Sequence, residues 1–129
     1  MKILVNVSLG ELVDKITILR IKAKKISDKE KLVYIQAELA SLESELLGLS
    51  VDKGKINDFL SELESVNTEL WEIEDEIREK EQSQIFDGDF IELARKVYLT
   101  NDKRFLIKNN CNETFGSQFK EVKSYKKYD

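Results

Sequence analysis

The side chains able to do chemistry in this chain are carboxylates and arginines, because the other usual actors are missing. Among 129 residues there is no histidine and a single cysteine, Cys111. That removes the usual general base, the usual metal ligand and every Ser-His or Cys-His nucleophile arrangement. Carboxylates recur at Glu69-x-x-Glu72-x-x-Asp75, a spacing that puts them on one helix face, as a hard cation such as Mg²⁺ needs. An all-α nucleotide pyrophosphohydrolase requires a second acidic pair on a facing helix. The chain offers Glu92-x-x-Arg95 instead, and a cation there repels a metal. A solvated acidic face opposite Leu70, Ile73 and Ile77 accounts for the triplet as well. No metal and no cofactor are expected.

The second constellation is basic: Arg20, Arg78, Arg95 and Arg104, with Lys15 and Lys108 near apolar stripes. Such groups can hold a dianion between helices and work by electrostatics without histidine, as in all-α mutases. Glu74 with Arg78 and Glu92 with Arg95 stand one helical turn apart, so internal ion pairing is the competing explanation. Asn67 and Asn101 sit in or beside apolar stripes; a buried amide there either fixes helix register or contacts a ligand. Trp71 and Tyr98 read as core-edge or subunit-contact aromatics. The five glycines are scattered singly, which leaves no phosphate-cradling loop.

These residues must be positioned by helices. Lys2–Val7 is short and β-branched, the pattern of a strand. Ser8-Leu9-Gly10-Glu11 then fits a capping box, in which Ser8 caps the helix and Glu11 reaches back. Leu12, Ile16, Leu19, Ala23 and Ile26 follow at helical spacing, and a second box, Ser27 to Glu30, re-caps the chain. Leu32, Ile35, Leu39, Leu42 and Leu46 form a second stripe. A third runs through Ile56, Phe59, Leu63, Val66, Leu70, Ile73 and Ile77. Lys55 to Gln82 makes a rod about 42 Å long at 1.5 Å per residue, and the turn at Gly48–Gly54 is short enough to fold the second stripe against the third. Asp87-Gly88-Asp89 marks another turn. The last helix opens on Phe90, Ala94 and Val97, and the same face continues into Asn101, Arg104 and Lys108, with Gly116 as its stop. The tail, Gln118–Tyr128, is the available partner for the N-terminal strand.

Charge is segregated along the chain. Residues 1–31 hold eight Lys and Arg against four Asp and Glu, residues 32–92 four against seventeen, and residues 93–129 nine against four. An acidic middle between basic ends suits neutralisation between packed helices, or a basic surface for an anion; nucleic acid is a poor fit to a net charge of −4. No apolar run approaches the roughly 20 residues of a membrane span. The lone cysteine reads as a reduced thiol of a cytoplasmic protein.

Three strings, V-S-L-G-E-L-V-D-K-I-T-I-L-R-I-K, E-L-W-E-I-E-D-E-I-R and F-I-E-L-A-R-K-V-Y-L-T-N-D-K-R, together resemble an uncharacterised family of small bacterial and phage proteins. The resemblance covers nearly the whole chain. It implies a compact α-helical module, sometimes attached to or encoded near glycosyltransferase and surface-polysaccharide proteins, and brings no activity. Its signature positions fall on Lys15, Thr17, Trp71, Glu74, Asp75, Arg78, Glu92, Arg95, Tyr98, Asn101, Asp102 and Arg104. Arg20 departs from it, standing where an acidic residue is common.

The expected fold is one mostly α domain over residues 1–129: a long antiparallel helical hairpin with flanking helices, and an N-terminal strand paired with the tail. The first functional expectation is a non-enzymatic helical interaction module, a homodimer with coiled-coil character and a protein partner. The second is a binder of a small anion such as a nucleotide or sugar phosphate. The third is an enzyme, either a Mg²⁺-dependent pyrophosphohydrolase or a mutase. The residues expected to bind are Lys15, Trp71, Glu74, Arg78, Arg95, Tyr98, Asn101, Asp102 and Arg104.

Overall fold

Four stripe-bearing segments become four helices in the computed structural model, which describes residues 1–126. They are α1 (Leu9–Lys25), α2 (Lys29–Leu47), α3 (Lys53–Gln82) and α4 (Gly88–Phe115). Each begins on an oxygen-bearing cap that accepts an otherwise unpaired backbone N–H: Ser8, Asp28, Asp52 and Asp87. The second cap is thus Asp28 rather than Ser27: one oxygen of its carboxylate accepts the N–H groups of both Glu30 and Lys31. Ser8 caps α1 as expected, but the Glu11 carboxylate binds Lys108.

Two helices stop in left-handed turns. Gly116 takes φ 62°, and the N–H groups of Gly116 and Ser117 return to the carbonyls of Glu113 and Asn112, a Schellman closure. Gln84 closes α3 in the same way, with Ile85 N–H returning to Lys80.

The core lies where α1, α3 and α4 meet and takes Leu46 from the end of α2. Val13, Ile16, Leu46, Ile56, Leu60, Leu63 and Cys111 form its buried cluster. Val13 and Ile16 share that cluster with Leu60 and Leu63, and Ile18 and Ile21 line one groove with Leu70 and Trp71. α4 returns antiparallel to α3 after the short Ser83–Asp87 connection, which brings Phe115 onto Phe59, and α1 crosses the pair, meeting α4 at Arg104, Lys108 and Asn112 and α3 at Asn67 and Glu64. α2 folds back on α1.

Two expectations are corrected here. The second stripe does not fold against the third: no Cα of α2 comes within 8 Å of one in α3, and each packs on α1 instead. The reason is geometric, because α1 lies between them and offers apolar residues to both sides. The hairpin is α3 with α4. No strand occurs among the described residues; every residue of Met1–Val7 is exposed and the tail is irregular to residue 126. A short β-branched string gains strand geometry only from a ladder partner, and the tail is engaged elsewhere, with Glu121 on Lys108 and Lys123 on Asp102. Residues 127 and 128 of the expected pairing lie outside the described residues.

A candidate ligand groove between three helices

Beneath the groove is a buried ionic scaffold. Gly10, Asp14, Thr17 and Ile21 recur at 4-3-4 spacing and are all buried, so they form the face of α1 that meets α3 and α4. Asp14 is fully enclosed. Its carboxylate accepts from Arg104 Nε at 2.9 Å and from Arg104 Nη2, a two-pronged pairing that matches the planar guanidinium fork. Asn67 Nδ2 donates to Asp14 Oδ1 at 2.8 Å and to Thr17 Oγ1 at 3.0 Å, while the Thr17 hydroxyl donates to the Asp14 carbonyl at 2.7 Å. One carboxylate of α1 thereby ties down both α3 and α4.

The scaffold continues toward the start of α1. Lys108, itself buried, donates to Glu11 at 2.7 Å, pairs with Glu121 at 3.1 Å and lies 3.9 Å from Asp14. Burial alone disfavours its charge, but the bond to Glu11 and the nearby Asp14 outweigh that and raise its pKa. The Arg104 pKa is raised mainly by its bond to Asp14. Gly10 N–H donates to Asn112 Oδ1 at 2.6 Å, an approach so close that α1 and α4 nearly touch there. Cys111 is buried in the core, and burial pushes its thiol up to about 11, which leaves it inert near neutral pH.

Above Asp14, Arg104 and Asn67 the three helices diverge and leave a groove of about 420 Å³. α1 contributes Ile18, Ile21 and Lys22 to its lining. α3 gives Asn67, Leu70, Trp71, Glu74, Asp75 and Arg78, most of them one turn apart on a single face. α4 gives Asn101 and Arg104. The lining is therefore apolar residues and an indole, with planar charged and amide groups around them. Arg78 and Glu74 stand 3.7 Å apart with the Arg78 side chain 78% exposed, a loose pair that water screens and that leaves guanidinium donors free to turn inward.

Of the nine residues expected to bind, Trp71, Glu74, Arg78, Asn101 and Arg104 line this groove. The other four do not. Lys15 points to α2, where it pairs with Glu38 at 3.0 Å. Arg95 pairs with Glu92 at 3.0 Å on the outer surface of α4 and is further held by Tyr98, whose hydrogen bond is the main cause of its raised pKa. Asp102 meets Lys123 of the tail. The face expected for α4 keeps Phe90, Val97, Asn101, Arg104 and Lys108 at least half-buried, but its first full turn buries Leu93 and leaves Ala94 exposed.

A family model matches residues 1–128. The chain belongs to the family of unknown function DUF6165. Comparison with curated proteins and with solved structures returned no match. For this DUF6165 chain the site thus rests on its own geometry. Asp14 and Lys22 are not among the residues expected to bind, yet Asp14 anchors Arg104 and Lys22 lines the groove, where Asn67 joins it. The sequence carries a sign of Asp14: with Gly10, Thr17 and Ile21 it stands at helical spacing on one buried face of α1, a stripe that apolar spacing alone does not reveal. The acidic triplet does not build a metal centre. Glu69, Glu72 and Asp75 are all exposed, and among the described residues no three metal-ligating side chains converge.

Proposed function

We propose that this chain is a small-ligand-binding module whose groove between α1, α3 and α4 takes a compact ligand carrying an anionic group. One observation carries this reading: an indole, two arginines, an asparagine and a carboxylate picked out by sequence converge from two helices on one groove. Its back wall is already fixed by the Asp14–Arg104–Asn67 network. Preorganised donors of this kind bind without first losing side-chain freedom, which is where much of the cost of association lies. Lys22 and Arg78 supply the mobile positive charge at its rim.

Thermal melting with a panel of phosphorylated metabolites tests it. A ligand at 100-fold excess over its Kd adds about 2.7 kcal/mol, a rise of roughly 10 °C for a domain of this size. Arg78→Ala is expected to abolish the shift while leaving the unliganded melting point nearly unchanged, since exposed side chains contribute little. No shift with any member of the panel sinks the reading.

A second reading, assembly as a homodimer or on a protein partner, is favoured by apolar side chains left exposed on two helices: Val33 and Tyr34 on α2, and Ile91, Leu99 and Leu106 on α4. Light scattering at tens of micromolar should then report a dimer, and a monomer removes that support.

A further inference from the structure

We infer that the groove accepts a monophosphate ester of a polyhydroxylated ring and turns polyphosphates away; this deepens, and rests on, the binding reading above. The charge balance comes first. Lys22, Arg78 and Arg104 stand against Glu74 and Asp75 in the lining, and Asp14 directly behind Arg104 cancels the remaining positive charge. A groove of zero net formal charge has no field to offset the several negative charges of a di- or triphosphate, and its two carboxylates repel them directly.

Hydrogen-bond direction is the second argument. Ionised Glu74 and Asp75 can only accept, whereas Lys22, Arg78 and Arg104 can only donate. A complementary ligand must therefore bring an anionic acceptor and donors of its own. A bare phosphate satisfies half of the lining, and a neutral polyol lacks the anion. Ammonium donors would face three cations. Hydroxyls carry no such penalty, and vicinal hydroxyls on a ring match the paired oxygens of a carboxylate. The ring's flat C–H face has an apolar counterpart in Trp71, Leu70 and Ile21. A groove of about 420 Å³ lies within the range of small-molecule sites and holds one such ring with its phosphate. Free hexose phosphates and nucleoside monophosphates share this chemistry.

Trp71 is the only tryptophan in the chain, so intrinsic fluorescence reports from the groove itself. The wild-type chain is titrated with glucose 6-phosphate, AMP, ATP, phosphocholine, glucose and inorganic phosphate, with melting followed in parallel. The expected result is saturable change with glucose 6-phosphate, AMP or both, the tighter of the two identifying the source. ATP, phosphocholine, glucose and phosphate should each bind at least about tenfold more weakly. The double variant Glu74→Gln, Asp75→Asn is expected to reverse the order, raising ATP affinity about tenfold while weakening the monophosphate esters. ATP, phosphocholine or phosphate matching the esters overturns the assigned ligand class and leaves the binding reading standing. No response in either signal to any compound overturns both.

Discussion

Replacing Asp14 with alanine should lower the unfolding free energy by about 3–5 kcal/mol, the usual consequence of removing one partner of a buried ion pair. The large effect comes from what remains. Arg104 would keep its charge in a half-buried position, the Asn67 amide would lose its shortest acceptor, and Lys108 would lose a nearby negative charge. Asp14→Asn should recover only part of the loss, because the amide keeps one acceptor but turns an NH₂ group toward the guanidinium. Urea unfolding checks both variants, with an unchanged m-value showing that the folded states stay equally compact. A loss below about 1 kcal/mol for the alanine variant would show that the network contributes no more than an ordinary surface pair.

Gly10→Ala should also destabilise, by about 1–3 kcal/mol, against the usual direction. In a helix interior, alanine normally gains about 0.5–1 kcal/mol over glycine. Here a Cβ at position 10 would meet the Lys108 carbonyl oxygen at 2.5 Å and Asn112 Oδ1 at 3.0 Å. Backbone cannot yield as a flexible side-chain end can, so α1 would have to lift from α4. That motion stretches the Gly10–Asn112 and Glu11–Lys108 bonds together. Gly88, at the start of α4 with nothing within 4 Å of such a Cβ, is the control: Gly88→Ala should be neutral or stabilising by a few tenths of a kcal/mol. Thermal melting of the two variants side by side reads the contrast.

Helix content was legible in the sequence because apolar spacing and caps are local properties. The α3 stripe from Ile56 to Ile77 marks that helix almost to its ends, and Ser8 and Gly116 mark where others start and stop. Which helix packs on which was not legible. Leu39, Leu42 and Leu46 ask only for an apolar neighbour, and α1 satisfies them as well as α3 would; the short loop after Gly48 misled because sequence adjacency does not require contact. The Lys2–Val7 string failed as a strand for a related reason, since a strand is defined by a partner the string does not contain.

The candidate site was partly legible. Trp71, Glu74, Arg78, Asn101 and Arg104 are large polar or aromatic groups beside apolar stripes, and such groups attract notice. Asp14 did not, because an acidic residue on a basic segment with lysine at the next position looks like surface. Its role depends on Arg104, ninety residues away, and only the antiparallel return of α4 brings them together. Lys15, Arg95 and Tyr98 share the chemistry of the groove residues but point to other faces of their helices, which composition cannot distinguish.

The placement of α2 has a mechanical consequence. Its backbone neighbours α1 alone, it buries only Leu46, and it contributes nothing to the groove. Local opening costs least where apolar contact is thinnest, so α2 is the segment that can peel away as a hinged flap while α1, α3 and α4 stay closed. Occupancy of the groove would tighten those three helices and reach the flap only through α1 and through Leu46, its one buried anchor in the shared core.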